Sequence, residues 1–202
     1  MANNFKNAFA SIVSAGEFYQ STGSATDNAT GPQLVYDSVV SGTGVNSILV
    51  ELDAANTGSA GITLTTFIQD FGAIGGSVSS ITSSSDVATV TTASAHNLSV
   101  GMYVHVTGST TAFVNGIYKV ASVPSSTTFT YAQNSGASDG AAAGTKVIHK
   151  AYHIVKDVSI PANSTLKIIA GQKVVLNDND KVYAYASAAT CDIIAGILQD
   201  VS

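Results

Sequence analysis

Residues 61–70, Gly-Ile-Thr-Leu-Thr-Thr-Phe-Ile-Gln-Asp, and residues 151–157, Ala-Tyr-His-Ile-Val-Lys-Asp, both read as β-strands. In the first, Ile62, Leu64, Thr66 and Ile68 alternate with Thr63, Thr65, Phe67 and Gln69, so the pattern predicts the Ile/Leu set on the core face. About eighty Ser/Thr/Gly-rich residues separate the two strands, whereas hairpin loops usually run about 2 to 5 residues. An insert of that size is expected to be a folded body. Strands 61–70 and 151–157 are then antiparallel neighbours in one sheet, with their junctions to the insert close together.

Working outward, Phe5–Val13 alternates loosely, with Glu17–Gln20 as its continuation, and 21–32 reads as a loop. Gln33–Val40 and Ser47–Asp53 are rich in Val, Leu and Ile, and 54–61 is a turn by its Asn and Gly content. Beyond the insert, strands are predicted at 152–156, 158–163, 165–169, 173–176, 181–187 and 190–198, with a turn at Gly171. Within the insert, 87–92, 102–106, 116–123 and 127–131 read as strands, and 135–144 reads as a mobile loop. Helical signals are weak, because apolar residues rarely recur at three-four spacing. The expected fold is all-β: a discontinuous β-sandwich or jelly-roll-like domain (1–74 and 148–202) carrying a small β-barrel or β-sandwich (77–147).

Charged residues make up 10% of the chain against a usual figure of roughly 25%, while 45% are hydrophobic. Few charges are thus available to coat a monomer, which points to surface buried in a homo-oligomer. The net charge is −5 and the eight lysines are scattered, so no electrostatic footprint for nucleic acid exists. The N-terminal residues lack the basic and apolar regions of a secretory signal, and no apolar run reaches the roughly 18 residues of a membrane span. A cytoplasmic site of synthesis is expected, in which the sequons at Asn28, Asn97 and Asn163 are ordinary turn chemistry.

Reactive constellations are scarce. His149 and His153 lie four apart on a strand, about 13 Å from each other, too far for shared ligation. His96 and His105 have no ligand-spaced neighbours in sequence, and Glu17, Glu51 and the eleven aspartates form no recognisable acid–base pair. Asn177-Asp-Asn-Asp180 is oxygen-rich but lacks the long loop and terminal Glu of a calcium site, so a hairpin turn is expected. Residues 136–146 lack the Gly-Lys-Ser/Thr triplet of a phosphate loop. Cys191 has no disulfide partner and reads as a small buried hydrophobe. In the strand 181–187, Tyr183 and Tyr185 share one face, available to a neighbouring subunit or to their own sheet. No catalytic, cofactor or metal residues are assigned, and no enzymatic activity is expected.

The run from Tyr152 to Leu176 (Tyr-His-Ile-Val-Lys-Asp-Val-Ser-Ile-Pro-Ala-Asn-Ser onward), followed by Asp180-Lys-Val-Tyr-Ala-Tyr-Ala-Ser187, resembles small β-sandwich virion structural proteins of tailed bacteriophages. Ser47–Leu64 looks like the matching upstream strand pair. The segments 95–108, 113–123 and 127–131 are similar to a small β-barrel module recurring in phage tail, fibre and baseplate proteins. The resemblance covers about three quarters of the chain and rests on strand-and-turn patterns. It implies a non-enzymatic virion component, assembled in the host cytoplasm, at the neck, collar or tail, or on the capsid as a decoration protein. Its partners would be copies of itself and other virion proteins, with a host receptor or glycan as the alternative target of the inserted module.

Overall fold

The computed structural model describes residues 4–12, 31–39, 46–74, 76–111, 114–133 and 140–201. The described residues contain strands and turns and no helix. The expected continuation of the first strand at 17–20 and most of the loop 21–32 lie outside them, as do 134–139. The chain divides into two compact units, changing over between Phe71 and Gly72 and between Ala151 and Tyr152.

The first unit is a sandwich. One sheet has the order β1 (Asn4–Ile12), β14 (Cys191–Val201), β3 (Asn46–Asn56) and β12 (Ser164–Leu176). The other has β11 (Gly144–Ile160), β4 (Ile62–Ala73), β13 (Lys181–Ala186) and β2 (Gln33–Asp37). Successive strands alternate between the two sheets, except that β4 and β11 are neighbours in one. Numbered one to eight along the chain of this unit, the orders are 1-8-3-6 and 5-4-7-2, which is the eight-stranded jelly roll. The β4–β11 pair runs antiparallel: Thr65 exchanges hydrogen bonds with Asp157, and Phe67 packs on His153. Residues 61–70 and 151–157 are thus neighbours in one sheet, as expected.

Between the sheets, Leu49, Leu52, Leu64, Val182, Ile193 and Ile197 form a core with apolar residues of all eight strands packed in or against it. Small residues Ala184, Ala186 and Ala195 let the sheets approach, and Cys191 is buried among them, as its apolar reading required. Burial pushes its thiol up to about 11, with a smaller contribution from Asp192, so it stays protonated at neutral pH.

Several details depart from or refine the sequence-based reading. The face of β4 carrying Thr65, Phe67 and Gln69, expected away from the core, is buried as well. Phe67 stacks on Tyr183 at 5.5 Å and 13°, so that tyrosine packs within its own sheet. Gly171 does not end a strand: β12 continues through it with a bulge in which 171–173 stand opposite the interval between Glu51 and Leu49. The segments 152–156 and 158–163 are largely one strand, β11, bent at Asp157, where φ is 52°. The turn after β3 begins only at Thr57, because Asn56 is buried and ties the corner: its amide donates to the carbonyls of Ala60, Ile160 and Pro161, while its Oδ1 accepts from Gly58 N and Thr190 Oγ1.

The second unit, residues 72–151 as described, is a sheet of order β10 (Gly140–Ala141), β5 (Val78–Ser84), β6 (Val87–Thr92), β9 (Thr128–Ala132), β8 (Gly116–Ser125), β7 (Tyr103–Ser109), then the first half of β11. Its two end strands are consecutive in the chain. Ala142 N donates to Ile81 O on one side, and Ala143 O accepts from Thr110 N on the other, so one stretch of chain closes a small barrel. The expected loop 135–144 is therefore, from Gly140 onward, a closing strand. Strand β5 was not anticipated, because Ser77–Ser85 carries only Val78 and Ile81 as apolar residues. It forms through a two-residue turn with Ser85 at φ 50° and Asp86 at φ 60°, the type I′ geometry that matches strand twist.

The barrel interior holds Ile81, Val90, Val104, Phe129 and the stacked pair Tyr118–Tyr131, 4.2 Å apart. The Tyr131 hydroxyl is buried with no hydrogen-bond partner among the described residues, and burial raises its pKa well above the usual phenol range. Removing an unsatisfied hydroxyl removes its desolvation cost, so Tyr131→Phe is expected to raise stability by about 1 kcal/mol. Chemical denaturation of the two proteins checks this, and a destabilised variant would mean that the hydroxyl has a partner in solution.

Candidate functional site

The oxygen-rich turn 177–180 is built around one carboxylate. Asp180 is buried, and its carboxylate closes the 177–180 turn: Oδ1 accepts from Phe71 N at 3.0 Å and Oδ2 from Asn177 N at 2.8 Å. Ser38 N donates to Asp180 O, tying β2 to the same turn. These oxygens are committed to backbone donors, which favours a hairpin over a cation loop. Among the described residues, no group of three or more His, Cys, Asp or Glu is placed to hold a metal.

The histidines divide by environment. His96 Nδ1 accepts from Leu98 N at 3.0 Å, so its proton sits on Nε2, 3.2 Å from Ser125 O, and the ring meets Phe129 edge-on. It is a loop clamp. His153 lies against Phe67, and burial lowers its pKa. His105 and His149 are directly paired across β7 and β11, a relation the 44-residue gap between them concealed. His105 is fully buried, and desolvation, with a smaller contribution from His149, holds it down to about 3.

An imidazole depressed in this way is neutral in the folded barrel while the unfolded chain begins to protonate near pH 6.5. Its stabilising contribution is complete above that pH and is lost as pH falls toward 3. The barrel is expected to lose about 2–3 kcal/mol between pH 7 and pH 4.5 from this group. Urea unfolding at the two pH values, comparing wild type with His105→Phe, measures it; an equal acid loss in both proteins would assign the effect elsewhere.

What remains is surface. On the outward face of the four-stranded sheet, register places Phe5 beside Leu198, Leu198 beside Ile48, and Ile48 beside Val175. One apolar rank thus crosses all four strands, with Phe5 72% and Val175 58% exposed. A second rank runs Phe9, Ile194, Asp53, Lys167, with Phe9 69% and Ile194 45% exposed. Lys167 sits 3.1 Å from Glu51 and 3.6 Å from Asp53, and both contacts raise its pKa. Between the ranks, Gly196 leaves room: a Cβ there would lie 3.2 Å from Glu51 Cβ and 3.5 Å from Val50. Large apolar side chains at this exposure, aligned rather than scattered, are what an interaction face carries. The individual residues were visible in the sequence, but their alignment depends on four strands drawn from both ends of the chain.

In the second unit, the loop after β7 is held in shape. Ser109 N donates to Asn115 Oδ1, Asn115 Nδ2 donates to Ser109 O, and Thr111 Oγ1 accepts from Ala143 N.

Compared with known protein families, curated proteins and solved structures, the chain matches none significantly.

Proposed function

We propose that this chain is a non-enzymatic structural component of a tailed-bacteriophage particle, one whose jelly roll makes assembly contacts and whose barrel unit is presented to a further partner. The observation that carries the reading is the aligned apolar face of the β1-β14-β3-β12 sheet on a chain with only 10% charged residues. It is supported by the phage-like strand and turn runs at 47–64 and 152–187. The jelly roll itself is shared by capsid proteins, lectins and cupins, so it supports assembly or binding without choosing a station. Neck, collar and tail are preferred, with capsid decoration as the alternative.

Sedimentation velocity of the purified chain, with co-sedimentation onto particles of the phage that encodes it, tests the reading. Self-association and particle binding are expected. A strictly monomeric chain that also ignores the particles overturns it.

The second reading is a receptor- or glycan-binding adhesin, favoured by the fixed geometry of 109–111 and 143 at one rim of the barrel. Deleting 77–147 separates the two. Particles that assemble but no longer adsorb to cells select the adhesin; failure of the shortened chain to incorporate means that the barrel unit itself carries assembly contacts.

A further inference from the structure

We infer that the outward face of the β1-β14-β3-β12 sheet is where a second copy of this chain docks, through an isologous two-fold contact; this rests on the assembly reading above. Three observations lead there. The first is size. Four strands spaced about 4.8 Å and the seven residues of β1 from Phe5 to Ser11 at about 3.4 Å each outline roughly 450–500 Å². A pair of such faces buries on the order of 1,000 Å², the threshold for a specific interface.

The second is the ordering of the apolar rank. It runs from the largest side chain, Phe5, at one edge to a small one, Val175, at the other. A two-fold axis parallel to the strands lays the rank on its own reverse. Phe5 then covers Val175 of the second copy, and Leu198 covers Ile48, so bulk meets recess at both ends. Aligned packing of two sheet faces about 10 Å apart is a standard sandwich geometry.

The third is charge. The same operation reverses the rank Phe9, Ile194, Asp53, Lys167, bringing the Lys167 ammonium over the Phe9 ring of the second copy, a cation–π pairing. Lys167 keeps its own Glu51 and Asp53 contacts, so the cation enters the interface already neutralised. A patch that complements itself under one rotation is the requirement for a closed dimer.

The test is sedimentation equilibrium on the wild type, on Phe5→Ser/Phe9→Ser, and on a Phe5→Cys/Val175→Cys variant. Both phenylalanines are exposed, so circular dichroism should be unchanged. The wild type is expected to dimerise, with the Ser variant weakened about tenfold or more. A short bis-maleimide, whose span suits thiols on faces about 10 Å apart where a direct disulfide would not reach, should then cross-link the Cys variant between copies. Dimers of unchanged strength in the Ser variant, or no cross-link in a Cys variant that still dimerises, overturn this face while leaving self-assembly intact. A wild type that stays monomeric overturns both the dimer and the self-assembly reading. If it is monomeric and Phe5 and Phe9 become protected only on particles, the face belongs to another virion protein and the dimer is overturned.

Discussion

Phe67→Ala is expected to destabilise the jelly roll by about 3–5 kcal/mol, the range for emptying a fully buried aromatic site. Phe67 is central in its sheet, wholly buried, stacked on Tyr183 and packed against His153. The loss combines transfer of the ring, the cavity left behind, and the stacking preference, itself about 0.5–1.5 kcal/mol. Phe67→Leu, which refills most of the volume, should cost much less. Urea unfolding read by hydrogen exchange of the β4, β11 and β13 amides resolves the effect in that sheet. A change under about 1 kcal/mol for the alanine variant would mean that this face of β4 is open in solution, as alternation alone had suggested.

The second large effect is expected where the barrel closes. Gly108 and Gly144 lie where β7 meets β11, Gly144 in register with Ser109, and have φ of 78° and 85°. A Cβ on Gly144 would stand 2.5 Å from Gly108 O and 2.8 Å from Thr110 N, and one on Gly108 would stand 2.1 Å from Thr145 O. Those neighbours are backbone and cannot swing away. Gly144→Ala is therefore expected to cost about 2–5 kcal/mol, adding overpacking to the left-handed backbone penalty. Gly171, at φ 81° with nothing within 4 Å of its hypothetical Cβ, is the internal control. Gly171→Ala should cost only about 1 kcal/mol, the dihedral part alone. Thermal unfolding of both variants decides it, and equal losses would show that the close approach between β7 and β11 relaxes without cost.

The parts of this fold that were legible in the sequence are those where one strand announces itself. Val87–Thr92 and Lys181–Ala186 alternate cleanly, and β-branched residues fill β4, so their positions and inward faces follow from pattern. The β4–β11 neighbourhood followed from loop length. Relations set by register rather than by pattern were hidden. The His105–His149 pairing, the burial of Phe67 behind Tyr183 and the rank from Phe5 to Val175 each join residues from strands distant in sequence. Strand β5 was hidden for a different reason, since serines supply backbone hydrogen bonds without an apolar signal. Gly171 misled because a glycine in a bulge and a glycine in a turn have the same local composition.

The same distinction applies to the candidate site. Composition announced a charge-poor surface, but only the register 5–198–48–175 turns single exposed side chains into a face. Such a face, on a chain with only 10% charged residues, is the basis of the particle-component reading. A density map of the intact phage particle in which this chain is located tests it most directly. Several symmetry-related copies are expected, with the rank from Phe5 to Val175 covered by a neighbouring copy. A particle that is complete without the chain would contradict this reading.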